Sequence, residues 1–84
     1  MKVALKLYAT LSDYLPAEAH KTNRLDLEIE PGTTPADLIQ RFGLPNQLCH
    51  LVLIDGVFVP PGARAGRTLQ DGEVLAIWPP VAGG

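Results

Sequence analysis

Apolar side chains recur at every second position from Lys2 to Tyr8, with Val3, Leu5 and Leu7 on one side and Lys2, Ala4, Lys6 and Tyr8 on the other. That period predicts a strand with one face against a core. Leu25, Leu27 and Ile29 alternate with Asp26, Glu28 and Glu30 in the same way, and Pro31-Gly32 closes the run. This predicts a second strand with one wet face, ended by turn residues. Between the two, Ala9 to Arg24 holds neither period for long, and Leu11, Tyr14 and Leu15 are expected to fold it back onto the core as a turn or short helix. Thr34-Pro35-Ala36-Asp37 starts a helix: a hydroxyl at the N-cap, proline at the first helical position and a carboxylate near the positive dipole end. Leu38, Ile39 and Phe42 share one face of it, and Gly43 and Pro45 stop it.

His50–Ile54 and Val57–Val59 flank Asp55-Gly56, a strong hairpin signal. Pro60-Pro61-Gly62 and the Gly/Arg stretch to Gly66 read as an irregular loop, Asp71-Gly72 as a turn, and Glu73–Trp78 as a nearly all-apolar central strand covered on both faces. Pro79-Pro80 ends it. The order strand, strand, helix, strand, strand, strand implies one sheet covered on one face by one helix. Placing the first and last strands side by side in the centre buries the most aliphatic area. The expected fold is therefore α+β, a ubiquitin-like β-grasp with a mixed five-stranded sheet and one main helix, comprising residues 1–79, with 80–84 as a flexible Gly-Gly tail.

With 84 residues, 46% of them hydrophobic and 19% charged, the chain makes one small domain and leaves no room for a large buried active site. The net charge is −2, and Lys2, Lys6, Lys21, Arg24, Arg41, Arg64 and Arg67 are scattered, which argues against nucleic acid as a partner. A lone cysteine, Cys49, makes no internal disulfide and fits a reducing compartment, so a cytoplasmic location is expected. The longest aliphatic run, Leu51-Val52-Leu53-Ile54, falls far short of the ~20 residues that span a bilayer, and neither a membrane nor an export role is indicated.

Conventional catalytic groups are scarce. Cys49 and His50 are adjacent, and on an extended strand neighbours point to opposite faces, so they do not make a nucleophile and base. Cys49 is expected to pack as a small hydrophobe and His50 to lie at the surface. His20, His50 and Cys49 lack the spacing of a zinc site, and no metal is expected. Asp26, Glu28 and Glu30 are expected to pair across the strands with Lys2 and Lys6. Gly62, Arg64, Gly66 and Arg67 lack the strand-to-helix context of a phosphate loop and read as a solvated, flexible basic loop.

The C-terminus, Trp78-Pro79-Pro80-Val81-Ala82-Gly83-Gly84, has a different character. Its prolines hold the exit extended, and glycines 83 and 84 let a slender carboxylate enter a narrow slot. A carboxylate is a poor electrophile, so its use calls for activation, most simply as an acyl-adenylate. With Leu69-x-Asp71-Gly72, the Val3-x-Leu5-x-Leu7-Tyr8-Ala9-x-Leu11 opening, Gly43-Leu44-Pro45 and Ile54-Asp55-Gly56, this ending resembles the molybdopterin synthase small subunit and thiamine sulfur-carrier family over the whole chain. Pro-Pro-Val-x-Gly-Gly looks more like the molybdopterin branch.

The resemblance implies a carrier without catalytic groups or bound cofactor of its own. Gly84 would be the covalent acceptor, adenylated with ATP and Mg by a ubiquitin-activating-type enzyme and converted to a thiocarboxylate with sulfur from a sulfurtransferase. Pro79, Pro80, Val81, Ala82 and Gly83 would form the tail that enters the molybdopterin synthase large subunit, in molybdenum cofactor biosynthesis. It leaves thiamine, tungsten-cofactor or another sulfur transfer open, as well as a protein modifier that ends in an isopeptide bond. A non-covalent binding module with a Pro-Pro-Val peptide is a further alternative. Against ubiquitin-like domains, Leu75 and Ile77 should face the helix and Ala76 and Trp78 outward, so that Trp78, Leu51, Leu53 and Phe58 dock partners. The other reading for Trp78 is that it folds under Pro79 and the loop.

Overall fold

A computed structural model describes residues 1–80. The tail residues Val81, Ala82, Gly83 and Gly84, on which the expected acceptor falls, lie outside the described residues. Strand β1 (Lys2–Leu7) pairs antiparallel with β2 (Arg24–Glu28) and parallel with β5 (Val74–Trp78). β5 pairs antiparallel with β3 (Leu51–Ile54), which forms a hairpin with β4 (Val57–Phe58). The resulting five-stranded mixed sheet has the order β2-β1-β5-β3-β4, with the first and last strands adjacent. This is the β-grasp arrangement.

Four of the five strands send residues into one core, and both residues of β4 are exposed. Val3, Leu5 and Leu7 of β1, Leu27 of β2, Val52 and Ile54 of β3, and Leu75 and Ile77 of β5 are buried together with Leu38 and Ile39 of helix α1 (Pro35–Arg41). Burying each such side chain stabilises by about 1.5–3 kcal/mol. The helix starts as its sequence requires. The Thr34 hydroxyl accepts from the Asp37 N–H (3.2 Å) and an Asp37 carboxylate oxygen accepts from the Thr34 N–H (2.9 Å), a reciprocal cap. Past its end, Gly43 takes φ +68°, a left-handed geometry that favours glycine. Asp55 and Gly56 both have positive φ, 49° and 83°, so the hairpin closes through the turn whose twist matches its strands.

The connection between β1 and β2 is 3₁₀ turn at Ala9–Tyr14 and Ala17–Ala19, with Leu11, Leu15 and Ala19 buried. The short-helix expectation holds there in its tighter form. β5 is central, but the helix covers only one of its faces. On the other, Ala76 is buried by its small size between Lys6 and Leu53, its register partners.

Two sequence expectations are corrected by the packing. Lys6 lies opposite Arg24, and no carboxylate among the described residues is within ion-pair distance of it. Arg24 instead bridges Asp26 on its own strand at 3.1 Å, and Glu28, although opposite Lys2, holds the N-terminal ammonium at 3.4 Å. The register, set by the buried leucines of both strands, decides this over charge pairing, each exposed pair being worth at most about 1 kcal/mol.

The second correction concerns the loop after β4, which is largely exposed as expected but whose two arginines are both engaged in specific bonds. Arg64 is only 8% exposed. Its Nε donates to the Val59 carbonyl (3.1 Å), Nη1 to that of Cys49 (2.7 Å) and Nη2 to that of His50 (3.3 Å). Arg67 forms a two-pronged bridge to Glu73, at 3.1 and 2.6 Å.

Candidate functional site

The site is built around the point where β5 leaves the sheet. The Ile77 carbonyl accepts from the Tyr8 N–H (3.2 Å) and the Trp78 carbonyl from the His50 N–H (3.1 Å). Pro79 and Pro80 have no N–H, so the ladder ends there. Strand alternation puts Tyr8, Trp78, Leu51, Leu53 and Phe58 on the face opposite the helix, and the registers Leu51↔Trp78 and Leu53↔Phe58 join them into an apolar strip. Leu51 is 36% and Phe58 50% exposed. All the side chains expected to dock a partner are thus on one face, with Trp78 and Leu51 at the exit and Phe58 at the far edge of the sheet.

Trp78 is half-buried and stacks on Tyr8, with ring centroids 4.2 Å apart and planes 4° from parallel. One face of the indole is therefore covered, by a residue that the sequence reading left out of the site. Tyr8 had the right parity in the β1 alternation, but only the parallel pairing of β1 with β5 shows that the rings meet. Such a stack adds about 0.5–1.5 kcal/mol beyond burial.

Arg64 was also missed. It fixes the carbonyls of Cys49 and His50 while the His50 N–H holds that of Trp78, so one guanidinium supports the exit from behind. Its own carbonyl accepts from the Ala36 N–H at 3.0 Å, which ties this support to the first turn of α1. No spacing rule in sequence announces an arginine whose partners are backbone carbonyls.

Cys49 and His50 precede β3 rather than lying on it. Cys49 caps a 3₁₀ turn at Asn46–Leu48, is buried, and its thiol donates to the Pro45 carbonyl at 3.5 Å. Burial pushes its pKa up, with Arg64 opposing, so at neutral pH it is a thiol rather than a nucleophilic thiolate. His50 is exposed. His20 bonds the Leu15 carbonyl through Nε2 at 2.8 Å, in the β1–β2 connection. Among the described residues no three His, Cys, Asp or Glu side chains gather as metal ligands, and no helix is long and apolar enough to cross a membrane.

The model of the ThiS family matches residues 14–84. The chain belongs to the ThiS family. That match takes in the exit, the Trp78 strand and the tail through Gly84. Among solved structures, this ThiS family chain is similar to SAMP1 from Haloferax volcanii, with 22% identity over the whole of both chains and a TM-score of 0.66. It is also similar to the HVO 2177 protein of the same organism, with 24% identity over all of this chain and 87% of that one and a TM-score of 0.73. A third likeness is to a chain of the complex of subunits 1 and 2 of molybdopterin-converting factor from Helicobacter pylori 26695, with 16% identity over the whole of both chains and a TM-score of 0.61. At these identities the likenesses speak for the shared fold. No curated protein matches the chain.

Proposed function

We propose that the chain is a sulfur carrier of the molybdopterin type, in which Gly84 is the acceptor. Adenylation with ATP and Mg by a ubiquitin-activating-type enzyme makes AMP the leaving group on the terminal carbonyl. The persulfide of a sulfurtransferase displaces AMP to give an acyl disulfide, and a second thiol cleaves its S–S bond, leaving the thiocarboxylate on Gly84 and a disulfide on the donor side. The carrier then delivers that sulfur within the large subunit of molybdopterin synthase. The observation that carries this reading is the ThiS family match, which runs through Gly84. The Pro-Pro-Val-x-Gly-Gly ending and the likeness to a chain of the Helicobacter pylori molybdopterin-converting factor complex favour this branch over thiamine.

The residues of the chain have passive parts in this scheme. Pro79 and Pro80 keep the exit from re-pairing with the sheet, Val81 and Ala82 continue the tail, and Gly83 makes the approach to Gly84 slender. Trp78, Leu51, Leu53 and Phe58 form the docking face, a cluster of aromatic and aliphatic anchors of the kind that dominates interfaces. A ubiquitin-like modifier, with Gly84 joined to a lysine of a target, shares the activation step, and the likeness to SAMP1 belongs equally to that reading.

The test is intact mass after incubation with an activating enzyme, Mg-ATP and a sulfur donor, beside a chain lacking Gly84. A gain equal to one oxygen exchanged for one sulfur, absent from the control, is the expected result. Lysine conjugates in place of that gain would establish the modifier, and neither product with demonstrably active components would leave only non-covalent binding.

A further inference from the structure

β2 forms one edge of the sheet, and no described segment pairs with its outer side. The Ile29 N–H donates to the Met1 carbonyl (2.8 Å), the Met1 amino group to the Ile29 carbonyl (3.2 Å), and the Leu7 N–H to the Asn23 carbonyl (3.1 Å). With Val3 opposite Leu27 and Leu5 opposite Leu25, the odd-numbered residues of this segment bond inward to β1. Antiparallel alternation then turns the N–H and C=O of Arg24, Asp26 and Glu28 outward. The Arg24 carbonyl receives the Thr22 hydroxyl at a long 3.4 Å. Neither proline nor glycine interrupts Arg24–Glu28 and its register is unbroken. Of the devices that protect sheet edges, β2 has only charges.

Those charges are self-complementary. If a second copy pairs antiparallel about a two-fold axis at Asp26, Arg24 falls opposite Glu28 of the other copy, and Glu28 opposite its Arg24. Both are hydrogen-bonded positions on the same face. The two Asp26 carboxylates meet at the axis, each held by its own Arg24 at 3.1 Å. Leu25 and Leu27 face each other on the core side. Within one molecule Arg24 has Lys6 as its cross-strand neighbour, so the pairing gives it an opposite charge where it now has a like one. Moving the axis to Leu27 would instead set Asp26 against Glu28 twice, and moving it to Leu25 would set Arg24 against Asp26 but leave Glu28 without a partner in β2, so only the axis at Asp26 pairs the whole of Arg24–Glu28.

We propose that the β2 edge is the contact of an isologous homodimer, in which β2 pairs with β2 of a second copy about Asp26 and joins two five-stranded sheets into one. A two-fold contact of this kind closes on itself and stops at the dimer. β1 separates β2 from β5, so Trp78 and Pro79 stay clear of the contact, and a carrier and its docking face would remain usable in the dimer.

Sedimentation equilibrium of the full chain from micromolar to millimolar concentration tests this. The wild type is expected to reach a dimer as concentration rises. Arg24→Glu and Glu28→Arg, both at exposed positions, should each weaken association at least about tenfold, because each turns both end pairs from attraction to repulsion. An equimolar mixture of the two variants should recover it, since opposite charges then face each other at both ends. Trp78→Ala should leave it unchanged. A wild type that stays monomeric, self-association indifferent to either charge reversal or lost with Trp78→Ala, or a mixture no stronger than its components would overturn the assignment.

Discussion

Arg64 is a buried cation whose guanidinium donates to three carbonyls, those of Val59, Cys49 and His50. Removing it leaves acceptors in a poorly hydrated place, each costing about 1–3 kcal/mol if unmet. Arg64→Ala should therefore lower unfolding stability in urea by at least about 2 kcal/mol. Arg64→Lys should recover only part of the loss, because an ammonium lacks the planar fork. Cys49 offers a second check. With its pKa raised by burial, the native protein should react with a thiol reagent at neutral pH far more slowly than the chain in guanidinium. Equal rates in the two states would show that the thiol is accessible.

At the level of elements, local chemistry predicted what it controls. Thr34, Pro35 and Asp37 marked the start of α1 and Gly43 its end, Asp55-Gly56 marked the hairpin, and alternation marked β1, β2 and β5. The 3₁₀ turns at Ala9–Tyr14 and Ala17–Ala19 were not legible as such, since Leu11, Leu15 and Ala19 are buried singly and leave no period. The shared face of Trp78, Leu51, Leu53 and Phe58 was legible because parity assigns a face. Tyr8 and Arg64 were missed because their roles depend on which segments meet.

The loop before β5 also carries a pH dependence. Glu73 accepts from both prongs of Arg67 and from the Gln70 N–H. The hydrogen bonds from Arg67, above all, hold its carboxyl below the usual range. A pKa lower in the folded than in the unfolded chain means that the unfolded chain takes up the proton first as pH falls. The stabilisation is thus present above the ordinary carboxylate pKa and lost as pH falls through the depressed one. Thermal melts of wild type and Glu73→Gln should differ near neutral pH and converge in acid, and a constant difference across that range would refute the linkage.

For the molecule as a whole, one sheet face is committed to the core and the other carries the apolar strip beside the exit of β5. Trp78→Ala should lower affinity for the activating enzyme at least about tenfold, as expected of a tryptophan anchor. Losing the stack on Tyr8 should also cost about 0.5–1.5 kcal/mol of stability. Tyr8→Phe should change neither, because the stack needs the ring and not the hydroxyl. Calorimetric titration and thermal melts read both quantities.

The adjacency of β1 and β5 has a consequence for biosynthesis. A ribosome makes β1 long before β5, so for most of the time between them the growing chain lacks the strand beside which β1 must lie. Contacts so distant in sequence form late and slowly, and here they must wait until Val74–Trp78 has emerged. A nascent chain broken off before that point lacks one of its two central strands, and is left open to proteolysis rather than folding into a truncated domain.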